Sequence, residues 1–133
     1  MDASYYRSPN GSTPDLAVVG AGSAGFAAAI RGAELGANVT LVGRGTIGGT
    51  CVNVGCVPSK TLIRASEAMY AGRAATRFAG VRGDARLHDW SAVVAQKDEL
   101  VSFLRQRKYE EVLRHYNTIS YVEGRARLTA GRA

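Results

Sequence analysis

Only two of the 133 residues are cysteines, and four residues separate them: Cys51-Val52-Asn53-Val54-Gly55-Cys56. Thiols this close can trade electrons as a dithiol–disulfide pair, contribute to a zinc site, or be two unrelated buried groups. In a regular helix, residues five apart lie about 8–9 Å from one another. A disulfide needs Cα atoms within roughly 4.4–6.8 Å. A bridge therefore requires the intervening turn to leave ideal helix, and Gly55 has the freedom to allow it. So short a loop adds least by chain entropy, which suits a bridge for redox turnover more than for stability. Zinc would need more ligands, and His88 and His115 stand at spacings that match no usual zinc pattern. Both histidines read as surface or helix-face residues.

The second constellation is Gly20-Ala21-Gly22-Ser23-Ala24-Gly25, a GxGxxG. Alone that pattern is weak, but here an apolar run precedes it and an alanine-rich helical stretch follows, the context of a dinucleotide fingerprint. Gly20 permits the tight turn, Gly22 lets a pyrophosphate approach the backbone, and Gly25 allows close helix–strand packing. The helix start adds amide donors and the positive end of its dipole. Such sites usually carry Asp or Glu at the end of the second strand to hold the ribose hydroxyls. Eighteen residues on from Gly25 stands Gly43, in Val42-Gly43-Arg44, and no carboxylate is there.

The elements that must position these groups are those of an α/β fold. Leu16–Val19 reads as a parallel strand buried on both faces. A helix of about 12 residues follows, stopped at Gly36, and Asn38–Val42 reads as a second strand; a crossover of that length implies parallel strands. Gly43–Thr50 is a glycine-rich loop. Thr61 to about Ala75 is expected to be helical, with Leu62, Ile63, Ala65, Met69 and Tyr70 at helical spacing. Asp89 is placed to cap a long helix from Trp90 to Tyr116, in which Glu110 can pair with Arg114. Thr118–Val122 alternates like a half-buried strand. Residues 1–14 read as a flexible leader.

Composition excludes several classes. No apolar run approaches the roughly 18 residues of a membrane span, and no apolar signal core opens the chain, so no membrane role and a cytoplasmic location are expected. The net charge of +6 rests on 14 arginines and three lysines spread along the chain. That scatter reads as solvated surface, and no nucleic-acid partner is expected.

The stretch Gly48-Gly49-Thr50-Cys51-Val52-Asn53-Val54-Gly55-Cys56-Val57-Pro58-Ser59-Lys60 resembles the pyridine nucleotide–disulfide oxidoreductases. That family includes lipoamide dehydrogenases, glutathione reductases and mercuric reductases. Arg44–Thr50, Lys108-Tyr109 and Glu123–Leu128 are most similar to the mercuric reductase branch. The resemblance covers nearly everything after residue 14 and implies a Rossmann-like FAD-binding domain, incomplete over residues 15–133, from the N-terminal part of a longer oxidoreductase.

By that resemblance, FAD occupies the βαβ unit at Gly20, Gly22 and Gly25, with Gly45, Thr50, Lys60 and Ala126 at further flavin contacts. Cys51 and Cys56 correspond to the redox-active disulfide. Cys56 is the thiol nearest the flavin, forming a charge-transfer thiolate, and Cys51 is the outer, interchange thiol. Lys60 lies near the flavin ring, where its charge also favours a thiolate. The implied relay runs from NADPH to FAD to the Cys51–Cys56 pair to Hg(II), which the two soft thiolates hold transiently before its reduction to Hg(0).

Gly25 stands where mercuric reductases often have alanine, and Gly43 where the family has glutamate. A lipoamide- or glutathione-type reductase, or a non-catalytic nucleotide-binding module, are the alternatives. A homodimer is implied for the full-length enzyme only, and the 133 residues alone are expected to lack NADPH-dependent turnover.

Overall fold

A computed structural model describes residues 13–128. All but Thr13 and Pro14 of the expected leader lie outside these residues. The described chain divides into two compact units: one takes in the residues up to Gly49 and from Arg105 onward, the other Thr50–Leu104.

The first unit is a three-stranded parallel sheet with helical cover. Leu16–Val19 forms β1, Ser23–Glu34 forms α1, Val39–Gly43 forms β2 and Ile119–Glu123 forms β3, in the order β1-β2-β3. Leu16 pairs with Val39, and Val39 with Ile119 in turn. The βαβ unit expected from the spacing of the glycine loop is therefore present, with parallel strands. α1 ends as Gly36 predicts: its φ is +88°, its amide donates to the Ala33 carbonyl at 2.9 Å, and the Ala37 amide donates to Gly32 at 3.0 Å. Asp15 ties the start of β1 to that of β2, accepting from the Asn38 amide at 2.8 Å.

The core of this unit lies on β2 and what packs against it: Val39, Leu41, Ile119, Phe26 and Ala29 are buried. Each large apolar side chain so placed contributes roughly 1.5–3 kcal/mol. β1 departs from expectation. It is an edge strand among the described residues, and Leu16 and Val19 are exposed. The doubly buried strand is β2.

The run expected as one helix from Trp90 is instead three. Trp90–Arg105 forms α4, Gln106–Glu110 is a π turn, and Glu111–His115 forms α5. Asp89 caps α4 as expected, its carboxylate accepting from the amides of Ser91 at 2.7 Å and Ala92 at 3.2 Å. The π turn changes the side-chain register: in its i,i+5 geometry Glu110 pairs with Arg105 at 3.6 Å, not with Arg114.

The second unit is helical. Gly49–Asn53 forms α2, which reaches into it, and Cys56–Ala74 forms α3, followed by a 3₁₀ turn at Ala75–Arg77 and α4 as far as Leu104. α3 begins five residues earlier than its apolar periodicity indicates, because Pro58 sits in its first turn, where a missing amide costs nothing. Leu62, Ala65 and Met69 of α3 face Trp90 and Val93 of α4 across a hollow of about 720 Å³. Ile63 and Tyr70, expected on the same stripe, are exposed. Among the described residues, no helix is long and apolar enough to cross a membrane.

Candidate functional site: a glycine cradle and a thiol pair

The glycine cradle belongs to the first unit. β1 delivers the chain into Gly20, whose φ of +114° only glycine adopts readily. Gly25 is confined to glycine by contact: a Cβ there would lie 1.7 Å from the Gly20 carbonyl oxygen. The departure noted at this position is thus a requirement of this backbone. α1 then starts at Ser23 with no side-chain cap and no acidic residue in its first turn, so its leading amides and dipole are available to an anion.

The second glycine loop runs beside the first. Gly22 bridges Gly48, the Gly48 amide donates to the Ala21 carbonyl at 2.9 Å, and a Cβ on Gly49 would lie 2.9 Å from the Gly22 Cα. Gly45, at φ +76°, has open space where its side chain would be, as does Gly20. A glycine-lined surface ending at an uncapped helix start fits a dinucleotide pyrophosphate.

Composition hid one support of this cradle. The π turn buries Tyr109, whose hydroxyl lies 2.9 Å from the Ser23 hydroxyl and whose ring meets Phe26 edge-on at 4.8 Å. Ser23 opens α1, so Tyr109 braces the helix start that faces the cradle. A tyrosine in a helical run carries no local signal of this; the π turn that aims it is a tertiary feature. Ala126, expected at a flavin contact, is exposed in the segment after β3.

The thiol pair belongs to the second unit. Helix breaks where a bridge requires: α2 ends at Asn53 and α3 begins at Cys56. The amides of Val54 and Gly55 both donate to the Thr50 carbonyl, at 3.0 and 2.7 Å, which curls the chain back on itself. Gly55 makes the curl possible, since a Cβ there would lie 2.9 Å from the Thr50 oxygen and 3.4 Å from the Cys51 Cα. Both cysteines are exposed free thiols, and each lies within the other's electrostatic reach.

Interaction with the Cys56 side chain is the main reason the Cys51 thiol titrates above its usual range; slight desolvation and the Cys56 charge act in the same direction. The Cys56 backbone and, least, the Lys60 ammonium pull it down. The thiolate-favouring charge expected of Lys60 therefore reaches Cys51, but the neighbouring thiol outweighs it. Lys60 itself is exposed, one turn beyond Cys56 on α3. Among the described residues no cluster of three or more His, Cys, Asp or Glu could hold a metal ion.

Comparison with known proteins gives a consistent picture. A mercuric reductase of Lysinibacillus sphaericus is 44% identical over 113 residues, 85% of this chain and 20% of that protein. One from Streptomyces lividans is 48% identical over 102 residues, 77% of this chain and 22% of that protein. The HOCl-induced flavoprotein disulfide reductase RclA from Escherichia coli superposes with a TM-score of 0.66 at 28% identity, over 85% of this chain and 22% of that one. The chain thus spans about a fifth of the length of these relatives. The sequence pattern of one family, the pyridine nucleotide-disulphide oxidoreductases, matches residues 14–131, and with nearly its whole length so accounted for the chain belongs to that family.

Proposed function

We propose that residues 15–133 are part of the FAD-binding domain of a mercuric reductase-type enzyme, cytoplasmic and dimeric when full-length. The observation that carries this reading is the helix break at Val54-Gly55, where both amides turn back on the Thr50 carbonyl between two exposed free thiols. The glycine cradle and the mercuric reductase relatives support it.

When bound, FAD supplies the two-electron couple that links NADPH to the thiols. Gly20, Gly22, Gly25 and the leading amides of α1 receive the pyrophosphate, with Gly45, Thr50, Lys60 and Ala126 at further flavin contacts. Cys56 is the thiol on the flavin side and Cys51 the outer, interchange thiol. Two electrons and two protons cleave a Cys51–Cys56 disulfide into two thiols. Hg(II) then displaces both thiol protons and is held between the sulfurs, a soft ion on soft ligands. Two further electrons, from a second NADPH, reduce Hg(II) to Hg(0) and leave the thiols to take up protons again.

The test is spectroscopic. The chain purified with FAD is expected to retain yellow flavin absorbance and to develop a long-wavelength band on partial reduction. The band is expected to vanish in Cys56→Ala and to persist in Cys51→Ala. A chain that never retains flavin, or a band indifferent to Cys56, contradicts the reading. Protection of both thiols from alkylation by stoichiometric Hg(II), but not by an oxidised disulfide substrate, separates the mercury reading from a glutathione-type one.

A further inference from the structure

Gly43 closes β2 where a dinucleotide site of this type normally carries a carboxylate for the ribose hydroxyls. The space of the absent side chain is filled. A Cβ on Gly43 would lie 2.5 Å from the Ala21 Cβ, 2.9 Å from the Tyr121 hydroxyl oxygen and 3.0 Å from the Tyr121 ring. A residue larger than glycine at 43 and the present position of Tyr121 exclude one another.

Tyr121 comes from β3, paired with Leu41, and Glu123 is paired with Gly43 itself. Residues two apart on a strand share a face, so β3 presents a phenol and a carboxylate together beside Gly43. The Gly124 amide, donating to the Gly43 carbonyl at 2.7 Å, carries this pairing past the end of the strands. Tyr121 is half-buried, and its hydroxyl makes no hydrogen bond among the described residues. Burial, and then the Glu123 charge, push the phenol above its ordinary range, so it keeps its proton at neutral pH.

We propose that Tyr121, with Glu123 beside it, supplies from β3 the ribose-binding group that β2 lacks. The phenol both donates and accepts, and the carboxylate accepts, so the pair matches the two hydroxyls of a ribose. The missing carboxylate is then a relocation of the contact to the neighbouring strand, and the site keeps its selectivity for an adenosine dinucleotide. This inference rests on the flavin-binding reading above.

Flavin fluorescence titration tests it, using FAD and an FAD analogue whose adenosine ribose lacks both hydroxyls. For the unmodified chain, the analogue is expected to bind roughly tenfold more weakly than FAD. Tyr121→Phe is expected to weaken FAD binding about 5- to 10-fold, as loss of one hydrogen bond does, and Glu123→Gln about threefold. In Tyr121→Phe the difference between FAD and the analogue is expected to shrink by the same factor, the mark of a shared interaction. Equal binding of the two flavins by the unmodified chain overturns the inference alone. So does an undiminished difference in both variants. Failure of the unmodified chain to bind FAD at all overturns the flavin reading, and this inference with it.

Discussion

Cys51 and Cys56 show how far residue type and spacing carry an argument. Their separation demanded a break in the helix and pointed to Gly55 as the residue that permits it; the chain breaks there, with the Gly55 face pressed on Thr50 and Cys51. The direction of the Cys51 titration, in contrast, depends on which sulfur neighbours it. Cys56→Ala removes the largest cause that raises the Cys51 thiol and leaves the Lys60 charge that lowers it. The pH midpoint for alkylation of Cys51 by iodoacetamide is therefore expected to fall in that variant, and alkylation at pH 8 to quicken. A midpoint that stays or rises contradicts the influence assigned to the Cys56 side chain.

At the scale of elements, the π turn at Gln106–Glu110 matters most for the site. It rotates Tyr109 inward, where the hydroxyl reaches Ser23 and the ring meets Phe26. Tyr109→Phe keeps the ring contact and deletes the hydrogen bond, so thermal or urea unfolding is expected to show a loss of about 1 kcal/mol. Tyr109→Ala removes both and is expected to cost roughly 3–5 kcal/mol, the range for truncating a large buried aromatic. Equal losses in the two variants would mean that the ring contributes nothing at the start of α1. The periodicity of residues 90–116 could not reveal this turn, because the helix beyond it is too short, with Val112 and Leu113 its apolar residues, to display the shifted register.

For the whole molecule, net charge proves a poor guide. Arg31–Glu34, Arg64–Glu67 and Arg107–Glu111 pair within single helical turns on exposed surface. Each contributes about 0.2–1 kcal/mol, and none gathers into a basic face. Ligand linkage offers a sharper whole-molecule test. A dinucleotide that binds only the folded chain stabilises it by about 2.7 kcal/mol at a concentration one hundred times its Kd. FAD is expected to raise the unfolding midpoint by a corresponding amount, whereas FMN, which lacks the adenosine half, is expected to raise it far less at equal concentration. Equal shifts would argue against a dinucleotide cradle at Gly20–Gly25.

The βαβ unit, the cap at Asp89, the stop at Gly36 and the break at Gly55 were legible in the sequence. The cap, the stop and the break are local demands met within a few residues, and the βαβ unit follows from a crossover helix too long for anything but parallel strands. Tertiary structure alone decided that β1 is an exposed edge and β2 the buried centre, since burial depends on which strands lie alongside. It alone showed that Gly25 admits no Cβ against the Gly20 carbonyl. It also replaced an apparent deficiency with a contact, because the residue that fills the place beside Gly43 is 78 positions away at Tyr121. Only the parallel register of β2 and β3 brings the two together.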